Sequence, residues 1–165
     1  MTTLSYSIAE PALATSPLSA LQAILSNPTD LAHVAQFATD DFTYVFLNFE
    51  CPELRQIMPW AGTNRGIDLL VRMFVGVSEY WTVDRFEVQD TFENDDGAAV
   101  FGSFTYTSKV LDKTVTSPLA VLARGKGGRL SYVQFMEDTF ATVRSFRESG
   151  EYLIKADPDG WETAV

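Results

Sequence analysis

Apolar residues near the start of the chain recur at helical spacing. Leu18, Leu21, Ile24 and Leu25 share one face, and Ser16-Pro17 ahead of them supplies a cap and a first helical residue with no N–H to lose. Asn27-Pro28 repeats that start signal, and Leu31, Val34, Ala35 and Ala38 form a second stripe opposite Asp30, His33 and Gln36. The period then shortens. FTYVFLNFE, residues 42–50, is rich in aromatic and β-branched side chains and predicts a strand that is apolar on both faces. Residues 51–65, CPELRQIMPWAGTNR, have no clear period and predict a connection long enough to border a pocket. Ile67, Leu70, Val71, Phe74 and Val77 restore helical spacing up to Trp81 and predict the longest helix.

Strands follow. Phe86, Val88 and Phe92 alternate with polar neighbours, leaving Asp90 on the apolar side, and Asn94-Asp95-Asp96-Gly97 has hairpin-turn chemistry. A strand over 98–109 pairs back, two more over 114–124 and 129–138 flank the turn Gly125-Lys126-Gly127-Gly128, and a short helix over 139–147 closes the domain. Hairpins in sequence imply an α+β domain with an antiparallel sheet and helices on one face. The last strands carry apolar side chains on both faces, Val133 and Phe135 beside Tyr132 and Met136, so a homodimer formed through the outer sheet face is expected. The predicted organisation is an N-terminal tail over 1–16, one domain over 17–147 and a C-terminal tail over 148–165.

Composition narrows the partners. An apolar content of 46% with twelve Phe, six Tyr and three Trp supports a packed globular core rather than a disordered chain. A net charge of -10 opposes approach to nucleic acid or an anionic membrane surface, so neither is expected as a partner. Cys51 is the only cysteine, which rules out an intrachain disulfide and fits a cytoplasmic setting. The start, MTTLSYSIAEPALATSP, has neither the basic residues nor the apolar run of a signal peptide, and no stretch reaches the length of a membrane span.

The element order, with PWAGTNRG at 59–66 and GGRLSYVQFMEDTFA at 127–141, resembles the nuclear transport factor 2-like superfamily, in particular its SnoaL-like polyketide cyclase and ketosteroid isomerase-like branches. That resemblance implies a cone-shaped, cystatin-like roll in which a curved antiparallel sheet wraps the N-terminal helices and the open end binds a small apolar ligand. It also implies a pocket lined by Phe46, Met73, Leu122 and Val133, to which Tyr44, Phe74 and Phe135 are added by their places on the same elements and Trp60 by its place in the long loop. The polar groups of a ketosteroid isomerase do not carry over: its base falls on Phe46, its helix-one tyrosine at or near Leu21 and its oxyanion aspartate on Ala120. Ketosteroid isomerase activity is therefore rejected.

Asp138 matches the aspartate that ends the last strand in SnoaL-like proteins, where it can serve as a general base, but its position also fits a cap for the helix starting at Thr139. Strict alternation places Glu137 with Val133 and Phe135, which makes Glu137 the rival carboxylate. Asn48 shares a face with Tyr44 and Phe46 and could orient a carbonyl, or serve turn chemistry at the strand end. Met58 and Trp60 could cover a ligand from the long loop or belong to the core. With one histidine, His33, on a polar helix face, neither a histidine triad nor a multi-histidine metal site is possible. The GKGG stretch opens no helix and is no phosphate loop. No metal or cofactor is expected. Two functions remain: a cofactor-independent isomerase, cyclase or dehydratase using Asp138 or Glu137 as acid or base, and a non-catalytic ligand-binding or interaction domain.

Overall fold

The start signals act as their chemistry dictates. In the computed structural model, which describes residues 14–165, Ser16 caps α1 (Pro17–Ser26) through a reciprocal bond with Ser19, and Asp30 caps α2 (Leu31–Val34) by accepting from the Ala32 and His33 amides. The helical stripe expected to reach Ala38 stops at Val34, because Ala38 already opens β1 (Ala38–Phe46). Pro52 and Gly62 divide the long connection into α3 (Pro52–Arg55) and β2 (Gly62–Arg65), neither of which its sequence period announced. The longest helix, α4 (Ile67–Tyr80), runs directly into β3 (Trp81–Asn94), which begins earlier than its alternation predicted. Then come β4 (Gly97–Ser108), β5 (Thr114–Lys126), β6 (Arg129–Glu137) and α5 (Thr139–Arg144), the last shorter than expected. The residues expected to form a C-terminal tail include a ribbon of β7 (Leu153–Ile154) and β8 (Thr163–Ala164).

The six-stranded sheet has the order β2-β1-β6-β5-β4-β3. Strands β3 to β6 form the expected hairpin meander, whereas β1 pairs parallel to β6 and antiparallel to β2. The parallel pair follows from the route: after β1 the chain detours through α3, β2 and α4 to the far edge and returns strand by strand. Curvature concentrates at Gly102, where a Cβ would lie 2.0 Å from the Glu87 carbonyl oxygen, so only glycine lets β3 fold this closely over β4. A bulge between Val88 and Asp90 reverses the facing of β3, so that Asp90 stands opposite Phe101 on the outer face instead of with Phe86 and Val88.

Alternation sorts the two faces of the meander. Val100, Phe104, Leu119, Val121, Val133 and Phe135 are buried beneath the helices, and α1 lies across β4, β5 and β6 with Leu21 and Ile24 inward. The outer face keeps large apolar side chains in solvent, among them Phe92, Phe101 and Met136. His33 departs from its expected solvated role: its Nε2 donates to the Ala23 carbonyl at 2.7 Å and ties α2 to α1. At the wide end, Trp81 is buried and its Nε1 donates to Ser145 Oγ at 2.9 Å, fastening the segment after α5 to the start of β3.

Candidate functional site

The junction of β6 and α5 gives its two adjacent carboxylates opposite fates. Asp138 turns outward and caps α5, accepting from the Ala141 amide at 3.0 Å, while its own amide donates to the buried Ser117 Oγ at 2.9 Å. Glu137 stands opposite Leu119 on the inner face, in line with Val133 and Phe135. Its Oε1 is sealed from solvent and, among the described residues, has no hydrogen-bond partner. Burial pushes its carboxyl from 4.5 up to about 7; the nearby Thr142 hydroxyl opposes the rise and the negative charge of Asp138 adds to it. A carboxyl with that value exchanges protons readily near neutrality, as an acid or a base requires.

Tyr106 completes this part of the interior. Its ring lies 4.1 Å from that of Phe104 and 6.0 Å from that of Trp81. Burial holds its phenol well above the ordinary tyrosine value, and the nearby Glu137 charge raises it further, so Tyr106 stays protonated and keeps a proton to donate. Behind Glu137, Phe135 packs against Phe46 at 6.2 Å and Phe74 at 5.8 Å between ring centroids. No signal in the sequence singled out Tyr106, whose alternation with Phe104 and Ser108 is that of any strand residue.

The remaining expected site residues divide into three groups. Phe46, Phe74, Val133 and Phe135 surround the interior behind Glu137, although this space is closely filled by aromatic rings. Tyr44, Trp60 and Met73 instead line a cleft of about 520 Å³ between α4 and the β1–β2 edge, with Asn64, Arg72 and Glu79 also in its wall. There Tyr44 donates to the Trp60 carbonyl at 3.3 Å, and burial pushes its phenol up to about 12. The indole of Trp60 lies over Gly76, where a Cβ would come within 2.6 Å of Cε3, which explains a glycine inside the longest helix. The third group is misplaced. Leu122 faces outward, as does Ala120, because β5 turns Leu119, Val121 and Ala123 toward the helices. No inward position among these carries a carboxylate.

Asn48 is the other correction. Strand β1 ends at Phe46 because Leu47 adopts a φ of 68°, and the chain then turns so that Asn48 is exposed with its Oδ1 accepting from the Phe49 amide at 2.8 Å. The face shared with Tyr44 and Phe46 is therefore broken, and Asn48 does not approach Glu137 from it. Met58 is fully buried core. Cys51 is a free thiol, and no cluster of metal-ligating side chains occurs among the described residues. None of the described helices is long and apolar enough to cross a membrane.

Comparison with known proteins gives this geometry a context. The chain is 39% identical over 140 residues to patulin synthesis protein F of Aspergillus clavatus, spanning 82% of the chain and 71% of that protein. The chain belongs to the patulin synthesis protein F family. A further member, patulin biosynthesis cluster protein F of Penicillium expansum, is 36% identical over 150 residues, covering 87% of the chain and 75% of the relative. No protein-family profile matches this patulin synthesis protein F relative. Among solved structures, an NTF2-like protein of Burkholderia xenovorans superposes with a TM-score of 0.68 at 16% identity, over 82% of this chain and all (100%) of the other. TerC, co-crystallised with polyporic acid, gives 0.62 at 18% identity over 78% and 95% of the two chains. IdmH of Streptomyces antibioticus, a candidate polyketide cyclase, gives 0.60 at 12% identity over 79% and 97%. The fold is thus the one shared by nuclear transport factor 2-like proteins.

Proposed function

We propose that this family member is a cofactor-independent enzyme of small-molecule biosynthesis, an isomerase, cyclase or lyase acting on a largely apolar carbonyl compound, with Glu137 as its acid and base. The observation that carries the reading is the buried Glu137 carboxyl on the inner sheet face, its Oε1 without a partner, raised to about 7 beside the Tyr106 phenol. The biosynthetic setting is supported by the names of the relatives. A carboxylate deprived of water is a stronger base than one in solution, and it can take a proton from carbon next to a carbonyl and return it elsewhere on the same molecule. The protonated Tyr106 can donate a hydrogen bond to the oxygen on which charge develops. No oxidant or reductant enters: in isomerisation the proton returns to another atom of the same molecule, in cyclisation the carbanion closes on an internal carbonyl carbon whose oxygen takes the proton, and in elimination a hydroxyl leaves with the proton as water. Asp138, committed to its helix cap, supports the position of Glu137. The exposed apolar outer face, with Phe92, Phe101 and Met136, is the surface for a second copy of the chain.

The alternative is a non-catalytic binder, favoured by the close aromatic packing around Phe135 and by apolar residues at the isomerase positions Phe46 and Leu21. Deuterium exchange separates the two. Small apolar ketones and lactones are incubated with the protein in D2O and followed by proton NMR. The enzyme reading expects accelerated exchange next to the carbonyl, lost by roughly 100-fold or more in Glu137→Gln and retained in Asp138→Asn. Exchange that survives Glu137→Gln rejects Glu137 as the base. Ligands that raise thermal stability without any exchange in the unaltered protein favour the binder.

A further inference from the structure

Two groups of cations in this acidic chain differ in how their charge is balanced. At the β5–β6 hairpin, Lys126 pairs with Asp96 at 3.1 Å, and Arg129 reaches Asp40 at 4.0 Å while donating to the Ala38 carbonyl. At the opposite end of β5, Lys113, Arg144 and Arg147 line a cleft of about 500 Å³ with Thr114, Thr116 and Ser145 in its walls. Among the described residues neither Lys113 nor Arg144 is paired with a carboxylate.

Lys113 and Arg144 are held in place by partners that do not cancel their charge, whereas Arg147 bonds the oxygen of Val165, the last residue of the sequence, a group that can carry the negative charge of a chain terminus. Lys113 Nζ donates to the Arg147 carbonyl. Arg147 donates to the Val165 oxygen at 2.9 Å and its guanidinium lies 5.5 Å from the centre of the Tyr152 ring. Arg144 lies 5.7 Å from the centre of the Phe140 ring. A main-chain carbonyl and an aromatic face orient Lys113 and Arg144 without neutralising them, leaving two like charges in the walls of one concave space. Guanidinium forks match planar or tetrahedral oxyanions, and charge-assisted bonds to such groups are the stronger kind.

We propose that this cleft binds a small molecule through an oxyanion, a carboxylate or a phosphate, held by Lys113 and Arg144. This site lies on the β5 side of α5 and stands independently of the proton-transfer chemistry assigned to Glu137.

Inorganic phosphate and malonate are the probes, titrated by calorimetry and by thermal shift against sodium chloride at matched ionic strength. Saturable binding of phosphate or malonate, absent with chloride, is expected. Arg144→Gln is expected to weaken it on the order of tenfold, and Arg144→Lys, which keeps the charge, to lose less. Lys113→Gln serves as a second variant should Arg144→Gln fold poorly. Preference for phosphate assigns a phosphate ester, and preference for malonate a carboxylic acid. The proposal is overturned if neither probe binds saturably, if chloride acts equally, or if both neutralising variants bind as the unaltered protein does.

Discussion

Replacing Glu137 by glutamine removes a titration that the fold resists, and the consequence for stability can be worked out with its sign. The folded carboxyl sits at about 7 against an ordinary 4.5, so between those values the folded state binds a proton that the unfolded state has released. Stability must then fall as pH rises through that window and level off above about 7. At about 1.4 kcal/mol per pH unit the total loss is about 3 kcal/mol. Glutamine keeps the shape and cannot ionise, so Glu137→Gln should match the unaltered protein near pH 4 and exceed it by up to about 3 kcal/mol at pH 8.

For a domain of this size that difference corresponds to roughly 10 °C in midpoint temperature, well above the scatter of a thermal scan. The assay is paired unfolding of the two proteins from pH 4 to 8.5, by heat and by urea. Only their difference is read, since the other carboxylates titrate alike in both and cancel. Curves that stay parallel across the whole range would refute the reasoning, because they would mean that Glu137 ionises as freely in the fold as in water. So would an unaltered protein more stable than Glu137→Gln at pH 8, the outcome expected if the carboxylate were satisfied by an ion pair or hydrogen bonds.

The adjacent carboxylate should behave in the opposite way. Asp138→Ala removes the acceptor of the Ala141 amide and should cost about 1 kcal/mol, while Asp138→Asn, which caps equally well, should cost little by urea titration. On the outer face, light scattering at micromolar concentration should give a dimer for the unaltered chain and a monomer for Phe101→Asp; a monomeric unaltered protein would defeat the assembly proposed for that face.

The fold was legible wherever one face of an element is buried. Period 2 on β4 to β6 and helical spacing on α1 and α4 record that constraint directly, and turn chemistry at Asn94–Gly97 and Gly125–Gly128 marked the hairpins. Two kinds of feature left no such record. The parallel pairing of β1 with β6 depends on where the chain returns after α4, which no local pattern encodes. Backbone reversals also escape notice, since Leu47 at a φ of 68° looks in sequence like an ordinary strand residue, yet it ends β1 and carries Asn48 out of the site. The bulge before Asp90, by contrast, follows from the cost of an unpaired carboxylate on the apolar side, which a bend of the strand relieves. On β5 the resemblance-based count was one residue out of phase, and a slip by one moves every side chain to the opposite face, which is why Leu122 was expected inside and lies outside.

The same parity argument is what makes Glu137 informative. A sheet that needed only stability would place an apolar residue at the last inward position of β6, where Leu119 is the cross-strand neighbour and Phe135 the preceding inward side chain. Capping does not call for Glu137 either, since Asp138 performs that role. Nor does it hold an ion pair among the described residues; its one stabilising neighbour is the Thr142 hydroxyl, which leaves Oε1 unsatisfied. What the position retains is a group destabilising when ionised, with a protonation equilibrium centred near neutrality. A residue that costs the fold free energy in the pH range where the proton must move is better explained by chemistry performed there than by architecture, and that inference would stand even if the substrate proved to be something other than a carbonyl compound.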